Sequence, residues 1–317
     1  MPGNVSLARR GTFASKKMER MQMAKTPTHD GIKTSVELTH PERVYWPDDE
    51  ITKQDLLEYY ALAWERMSPF VINRPLALLR CPDGIDGPRF FQKHAWKGIN
   101  HNITEIADPE DKDAAKLLKI ESFDGLAALV QSAALEIHPW GTAIEHWEKP
   151  DMIIMDLDPG EDIAWRKVVT AAKEIRERFA AQGLTSFVKT SGGKGLHVVA
   201  SVKPQATWPD IKDAAEAIAH AMSADSPQTY LSVASKAKRA GHIFIDYLRN
   251  GRGNTAVAPY STRARKGTAV SMPVNWEELD GTIGPASFTV KNAASRLGQS
   301  STDPWADFFK TAAPLKV

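Results

Sequence analysis

The segment Met152-Ile-Ile-Met-Asp-Leu-Asp-Pro-Gly160 sets the tightest limit on how this chain can fold. Four apolar residues run directly into carboxylates and then into a Pro-Gly turn. A short apolar run of this kind reads as a buried strand. Side chains alternate across a strand, so Asp156 and Asp158 share one face while Leu157 points to the other. Carboxylates with Cα atoms roughly 6–7 Å apart repel unless something neutralises them. A divalent cation does so, and carboxylate oxygens suit Mg²⁺ or Mn²⁺. Asp-x-Asp also occurs at ordinary solvated strand ends, so the pair alone decides little. Asp246 adds weight, because it stands inside a second apolar run, Ile243-Phe-Ile-Asp-Tyr-Leu248. A buried, unpaired Asp there is costly. Either a neighbouring arginine or a shared metal would satisfy it, and strand-borne carboxylates fit the two-metal arrangement of nucleotidyl transfer.

Lys189-Thr-Ser-Gly-Gly-Lys-Gly-Leu-His-Val198 joins two further strand-like runs. It is neither a Walker A loop nor a dinucleotide fingerprint, because Lys194 precedes Gly195 and no helix follows. Its glycines allow backbone N–H groups to approach an anion, and Ser191 and Lys194 add donors. His197 could donate to a phosphate or be an ordinary strand histidine. By itself the turn is a hairpin; beside the aspartates it reads as a triphosphate cradle.

The remaining pattern is mixed α+β. Helices are expected over Ile51–Phe70 with Thr52 as N-cap, Ser122–Gln131 with Asp124 as a possible cap, Trp165–Gln182 ended by Gly183, Ile211–Met222 and briefly Asn275–Leu279. Strands are expected at Leu76–Arg80, Ala133–His138, Asp151–Asp158, Ser186–Lys189, Leu196–Ser201, His242–Leu248 and Thr255–Pro259. Order is expected from about Val36.

Of the 317 residues, 42% are hydrophobic and 25% charged, which is ordinary for a globular chain with a real core. No window approaches the roughly 20 apolar residues of a membrane span. Cys81 is the only cysteine, which rules out an intramolecular disulfide and a cysteine-rich zinc site and points to a reducing compartment. The net charge of +1 conceals +5 over residues 1–29, +7 over residues 236–266 and −11 elsewhere. Residues 1–30 read as a disordered basic tail or linker, with a transit peptide as the alternative. The basic run around Asp246 is either a solvated loop or a phosphate-contacting surface.

Taken in order, Asp-Leu-Asp-Pro-Gly, Thr-Ser-Gly-Gly-Lys-Gly-Leu-His, Lys-Ala-Lys-Arg-Ala-Gly-(x)₄-Asp-Tyr and Ala-Pro-Tyr-Ser-Thr-Arg-Ala-Arg closely resemble the polymerase domain of bacterial ATP-dependent DNA ligase D, within the archaeo-eukaryotic primase superfamily. The resemblance runs from about Val36 to Leu279. It implies a primase-like α/β (α+β) fold: an RRM-like mixed sheet packed with helices, plus an N-terminal α/β module. The catalytic domain would occupy residues 31–300, with residues 301–317 a C-terminal tail.

The resemblance also implies a gap-filling and end-extending nucleotidyltransferase of non-homologous end joining in the bacterial cytoplasm, at the nucleoid. Such an enzyme favours ribonucleotides and Mn²⁺. Asp156, Asp158 and Asp246 would hold two Mn²⁺ or Mg²⁺ ions. Ser191, Lys194, His197, Arg239, His138 and Arg263 would face the nucleoside triphosphate. Arg43, where relatives typically carry Lys, and Lys53 would hold the 5′-phosphate of a gap. Phe90 and Phe91 would stack on template bases; the alternative is a buried aromatic pair. Arg249 and Arg265 would join the phosphate contacts, Arg249 with the least support because relatives vary there. Partners implied are DNA ends or gapped duplex, NTP or dNTP, Ku and a DNA ligase, with no membrane. Rival readings are a de novo primase, weakened by the missing cysteine-rich module, and a catalytically silent end-binding module. A complete ligase is excluded by the lack of a Lys-x-Asp-Gly nucleophile motif.

Overall fold

The computed structural model describes residues 33–111, 113–235, 238–299 and 302–316. The basic segment expected at residues 1–30 lies outside them.

The N-terminal module starts from capping chemistry. β1 (Val44–Trp46) and β2 (Ile51–Thr52) form a short antiparallel pair, and α1 (Lys53–Met67) follows. The Thr52 hydroxyl accepts from the Asp55 N–H at 3.2 Å, and the Asp55 carboxylate accepts from the Thr52 N–H at 2.8 Å, a reciprocal capping box. Leu56, Tyr60, Ala63 and Met67 recur at helical spacing and are buried. Beside α1 lies a sheet in the order β4 (Phe90–Gln92), β3 (Leu76–Arg80), β6 (Leu117–Lys119), β5 (Thr104–Ile106). α2 (Phe123–Gln131) then leads to β7 (Ala134–Pro139), which pairs with β3. The cap of α2 is Ser122, whose hydroxyl accepts from the Gly125 N–H at 3.4 Å. Asp124 instead accepts from the Thr34 and Ser35 hydroxyls, both at 2.6 Å, and so binds the incoming chain to the helix.

The second module carries the aspartates. β8 (Met152–Pro159), α3 (Trp165–Ala181), β9 (Ser186–Thr190), β10 (Leu196–Ser201), α4 (Trp208–Asp225), β11 (Tyr230–Leu231), β12 (Ile243–Asp246) and β13 (Pro273–Val274) follow in sequence. The sheet order is β11-β12-β8-β10-β9-β13. Its inner strands β12-β8-β10-β9 are antiparallel neighbours joined by α3 and α4, the βαββαβ arrangement of the expected RRM-like core. α3 buries Val168, Val169, Ala172, Ile175 and Phe179, and ends at Gly183, whose φ of +78° suits glycine.

β8 sits centrally, and one of its faces changes character along its length. Met152 and Ile154 pack with Phe70, Val199, Trp305 and Phe308 in a buried cluster. Asp156 and Asp158 follow on that same face by alternation. Trp305 and Phe308 are 3% and 0% exposed, so residues expected to trail the domain contribute to its core.

Three expected elements come out differently. β12 ends at Asp246, and the chain enters a 3-10 turn at Leu248–Asn250. Asn250 causes the change: its buried amide accepts from the Ile154 N–H at 2.8 Å and donates to the Ile154 carbonyl at 2.7 Å, replacing a strand beside that part of β8. Thr255–Pro259 forms no strand, only a bridge from Thr255 to Trp140. Pro259 has no N–H to donate, and Tyr260 turns left-handed at φ 65°. Asn275–Leu279 yields a 3-10 turn at Trp276–Glu278, and a further helix, α5 (Val290–Gln299), follows it. Among the described residues, no helix is long and apolar enough to cross a membrane.

Candidate active site

The expected aspartates converge. Asp246 on β12 stands opposite Asp156 on β8, and Asp158 follows two residues along. Asp246 and the Asp156 side chain are largely buried. Burial raises the Asp246 carboxyl above its ordinary value against the pull of Arg249. Asp156 is driven up by burial too, but His197, Arg249 and Lys189 outweigh it and hold the carboxyl well below its ordinary value. Arg249 Nε lies 3.3 Å from Asp156 and 3.2 Å from Asp246, and Arg239 pairs with Asp158. Arg239 also lies over the Phe244 ring, 4.7 Å from its centroid.

β10 places His197 opposite Asp156 on the other side of β8. Its Nε2 is 3.3 Å from the Asp156 carboxylate and its Nδ1 3.0 Å from the Lys189 ammonium nitrogen. Burial first, and Lys189 second, push the His197 imidazole down to about 4, so it is neutral at pH 7. Lys189 is itself buried, which drives its pKa well below the usual lysine value, and it donates to the Ser271 hydroxyl at 2.7 Å. A lysine in a strand beside a glycine turn gave no sign in sequence that it would point inward.

The glycine turn is held from within. The N–H groups of Gly193 and Gly195 both donate to the Ser191 hydroxyl at 3.2 Å, and the Ser191 N–H donates to the Gly195 carbonyl at 3.0 Å. Lys194 reaches Glu161 at 2.9 Å on the exposed rim. Two glycines have reasons unrelated to any anion. A Cβ on Gly195 would fall 1.8 Å from the Leu157 carbonyl oxygen, and one on Gly192, where φ is +64°, 2.6 Å from Arg263 Cγ.

Asp156, Asp158, Ser191, Lys194, His197, Arg239 and Arg263 border one cleft of ≈ 750 Å³, together with Arg249 and Arg265. Arg263 donates to the Ser191 carbonyl and pairs with Glu136 at 3.0 Å. His138 donates from Nε2 to the same Glu136 carboxylate at 2.8 Å, and its ring meets Phe91 edge-on at 5.8 Å. Glu136 escaped the sequence reading; its only signal was a charged residue in an otherwise apolar strand two positions before His138. Other members of the basic run serve elsewhere: Arg252 is bound to Asp108 and Glu148, and Lys266 to Asp48.

Phe90 and Phe91 are 50% and 55% exposed on β4, against the alternative of a buried pair. Arg43 is exposed and donates to the Pro82 carbonyl at 3.0 Å. Lys53 neighbours it, its N–H donating to the Arg43 carbonyl at 2.8 Å, but the Lys53 ammonium is buried and donates to the Thr39 carbonyl at 2.6 Å.

Asp156, Asp158 and Asp246 offer only carboxylate oxygens, the hard donors that Mg²⁺ and Mn²⁺ prefer. Among the described residues, no group of three or more His, Cys, Asp or Glu side chains is arranged to hold an ion as it stands. Arg239 and Arg249 meet the carboxylate charge in its place. Charge and donor chemistry thus fit a divalent cation, provided the guanidinium groups yield their contacts.

The family model of the LigD primase-polymerase domain matches residues 52–305. The multifunctional non-homologous end joining protein LigD of Pseudomonas aeruginosa is 36% identical over 277 residues, covering 87% of this chain and 33% of that protein. The LigD protein of Mycobacterium tuberculosis is 31% identical over 253 residues, covering 77% of this chain and 33% of that protein. The chain thus spans about a third of the length of these relatives. The solved polymerase domain of Mycobacterium tuberculosis ligase D in complex with DNA superposes with a TM-score of 0.80 at 28% identity, over 88% of this chain and all of that one.

Proposed function

The chain belongs to the LigD primase-polymerase domain family, a family of nucleotidyltransferases, and on that premise we propose that it adds nucleotides to DNA ends and gaps under template direction. The observation that carries this reading is one cleft bordered by Asp156, Asp158, the glycine turn and a set of arginines, with Asp246 opposite Asp156 on the neighbouring strand and paired with Arg249. The reaction is attack of a primer 3′-hydroxyl on the α-phosphate of a nucleoside triphosphate, with pyrophosphate released.

Asp156, Asp158 and Asp246 would hold two Mn²⁺ or Mg²⁺ ions, whose bound charge lowers the hydroxyl's pKa and stabilises the leaving oxygens. The protein's own part is positioning and fixed charge. His197, neutral and held between Lys189 and Asp156, fixes the orientation of that carboxylate. Arg239, Arg249, Arg263 and Lys194, with Ser191 and His138, receive the triphosphate, Arg239 and Arg249 exchanging their aspartate partners for phosphate oxygens while Arg263 stays on Glu136. Arg43 and Lys53 bind a downstream 5′-phosphate, which requires the Lys53 ammonium to leave Thr39. Phe90 and Phe91 stack on template bases, as their exposure allows.

The domain, with Trp305 and Phe308 included in its core, acts in bacterial non-homologous end joining in the cytoplasm, favours ribonucleotides, and works with Ku and a DNA ligase. Primer extension on a gapped duplex bearing a downstream 5′-phosphate tests the reading, with Mn²⁺, ribo- against deoxyribonucleotides, and the triple Asp→Ala variant as control. Template-directed addition that needs the aspartates supports it. Absent addition with DNA binding intact replaces it with a silent end-binding module.

A further inference from the structure

We propose that Glu136 is a positioning residue of the nucleotide site, one that holds His138 and Arg263 in register with the glycine turn and links them to the template-side aromatic Phe91; the inference rests on the nucleotidyl-transfer reading. Glu136 is 4% exposed and lies on β7, which belongs to the N-terminal sheet and not to the sheet of the aspartates. A carboxylate buried this deeply is costly unless it is paired and hydrogen-bonded. Its partners come from both modules. Oε2 accepts from His138 Nε2 at 2.8 Å and faces Arg263 Nε at 3.0 Å, while Oε1 accepts from the Ala264 N–H at 2.9 Å.

Each partner leads onward. Arg263 continues to the Ser191 carbonyl, with its Cγ lying where a Cβ on Gly192 would be only 2.6 Å away. The guanidinium is therefore threaded between Glu136 and the turn that carries Ser191 and Lys194. His138 contacts Phe91, one of the exposed aromatics of β4. A carboxylate can only accept, so His138 Nε2 must carry the proton, leaving Nδ1 as the free ring nitrogen. One buried carboxylate thus fixes a tautomer, an arginine and the backbone of the Ser-Thr-Arg-Ala segment together. A purely structural ion pair would need only one of these partners.

Glu136→Gln is nearly isosteric but has one acceptor oxygen, so it cannot accept from both Ala264 and His138; kept on Ala264 it turns its NH2 towards His138 Nε2, which must then give up its proton, and it carries no charge for Arg263. Wild type, Glu136→Gln, Arg263→Lys and the double variant are compared. The readouts are binding of labelled ATP, nucleotide KM and kcat on a gapped duplex, the ¹⁵N spectrum of the His138 imidazole, and the melting temperature. The expected result for Glu136→Gln is ATP binding weakened and KM raised about tenfold, with kcat changed by less than about threefold. His138 loses its single Nε2–H tautomer, and the double variant is no worse than Arg263→Lys alone. Unchanged ATP binding with only a lower melting temperature overturns the inference, as do fully additive effects. If the wild type adds no nucleotide, the proposed function fails, while ATP binding and the His138 spectrum, read without turnover, still decide the role of Glu136. Should the Gln variant not fold, Glu136→Asp is read by the same measures; its shorter reach keeps the charge but must release either His138 or Ala264, and full ATP affinity there refutes the role.

Discussion

Gly195→Ala should damage this fold in a way that conformational preference does not explain. Gly195 is not among the glycines with positive φ, so alanine meets no left-handed backbone strain there. What it meets is the Leu157 carbonyl oxygen 1.8 Å from the new Cβ, and the Leu157 carbonyl carbon at 3.0 Å. That carbonyl belongs to β8, held on both sides by β10 and β12, so it cannot rotate away. Relief requires β8 and the turn to separate by more than an ångström. Overpacking a rigid site costs about 1–3 kcal/mol and sometimes more, and this contact belongs at about 3 kcal/mol.

Gly267→Ala is the control. Gly267 has a φ of +81° with nothing within 4 Å of a Cβ, so its cost is purely conformational, about 1–2 kcal/mol. Urea unfolding followed by circular dichroism gives both values. For a domain of this size the Gly195 variant should melt roughly 5 °C lower. Displacing the turn also moves Ser191 and Lys194 from Asp156 and Asp158, so nucleotide KM should rise in Gly195→Ala and not in Gly267→Ala. If the two variants lose equal stability, the close approach of turn to strand is not what Gly195 serves.

Asn250→Ala removes the side-chain partners of both the Ile154 N–H and the Ile154 carbonyl and should cost about 2–5 kcal/mol in denaturant unfolding; an unchanged midpoint would show that another group takes over. Burial lifts the Glu136 carboxyl, but the His138 hydrogen bond and Arg263 outweigh it and set it at about 2 against an ordinary 4.5. Because the folded value is depressed, its stabilisation is complete above about 4.5 and fades as pH falls towards 2; acid titrations of wild type and Glu136→Gln should diverge in that window, and parallel curves refute the assignment. Asp156→Ala should cut nucleotide addition by about a thousandfold while leaving DNA binding intact, as read by primer extension beside fluorescence anisotropy. Phe90→Ala and Phe91→Ala should each weaken template binding by about 1–3 kcal/mol with little change in melting temperature, since both rings are already half exposed.

The sequence reading was strongest where one local rule was sufficient. Thr52 capped its helix as expected, and β8 and β10 appeared where apolar runs met glycine or acid. It failed where a distant side chain replaced a local preference. Asn250 ended a strand early by taking the place of its neighbour's partner, and nothing near it in sequence reveals Ile154. Asp124 suited a helix cap, but Thr34 and Ser35 claimed its carboxylate. At the site, the side chains on motif strands were legible because period-two alternation fixes their face. Glu136 and Lys189 were not, because each takes a partner far off in sequence: Ala264 and Arg263 for the first, Ser271 for the second.

The buried cluster beneath β8 also bears on the order in which this molecule can come into being. Phe70 lies about 80 residues before Met152 and Ile154 in sequence, and Trp305 and Phe308 about 150 residues after them. On a ribosome the underside of β8 remains incompletely covered until Phe308 has emerged. Non-local closure of this kind is slow, and the waiting apolar surface is open to association with other nascent chains. The aspartates share that face, so their final alignment waits on Trp305 and Phe308, and a chain stalled shortly before Trp305 would have every motif and no settled floor beneath them.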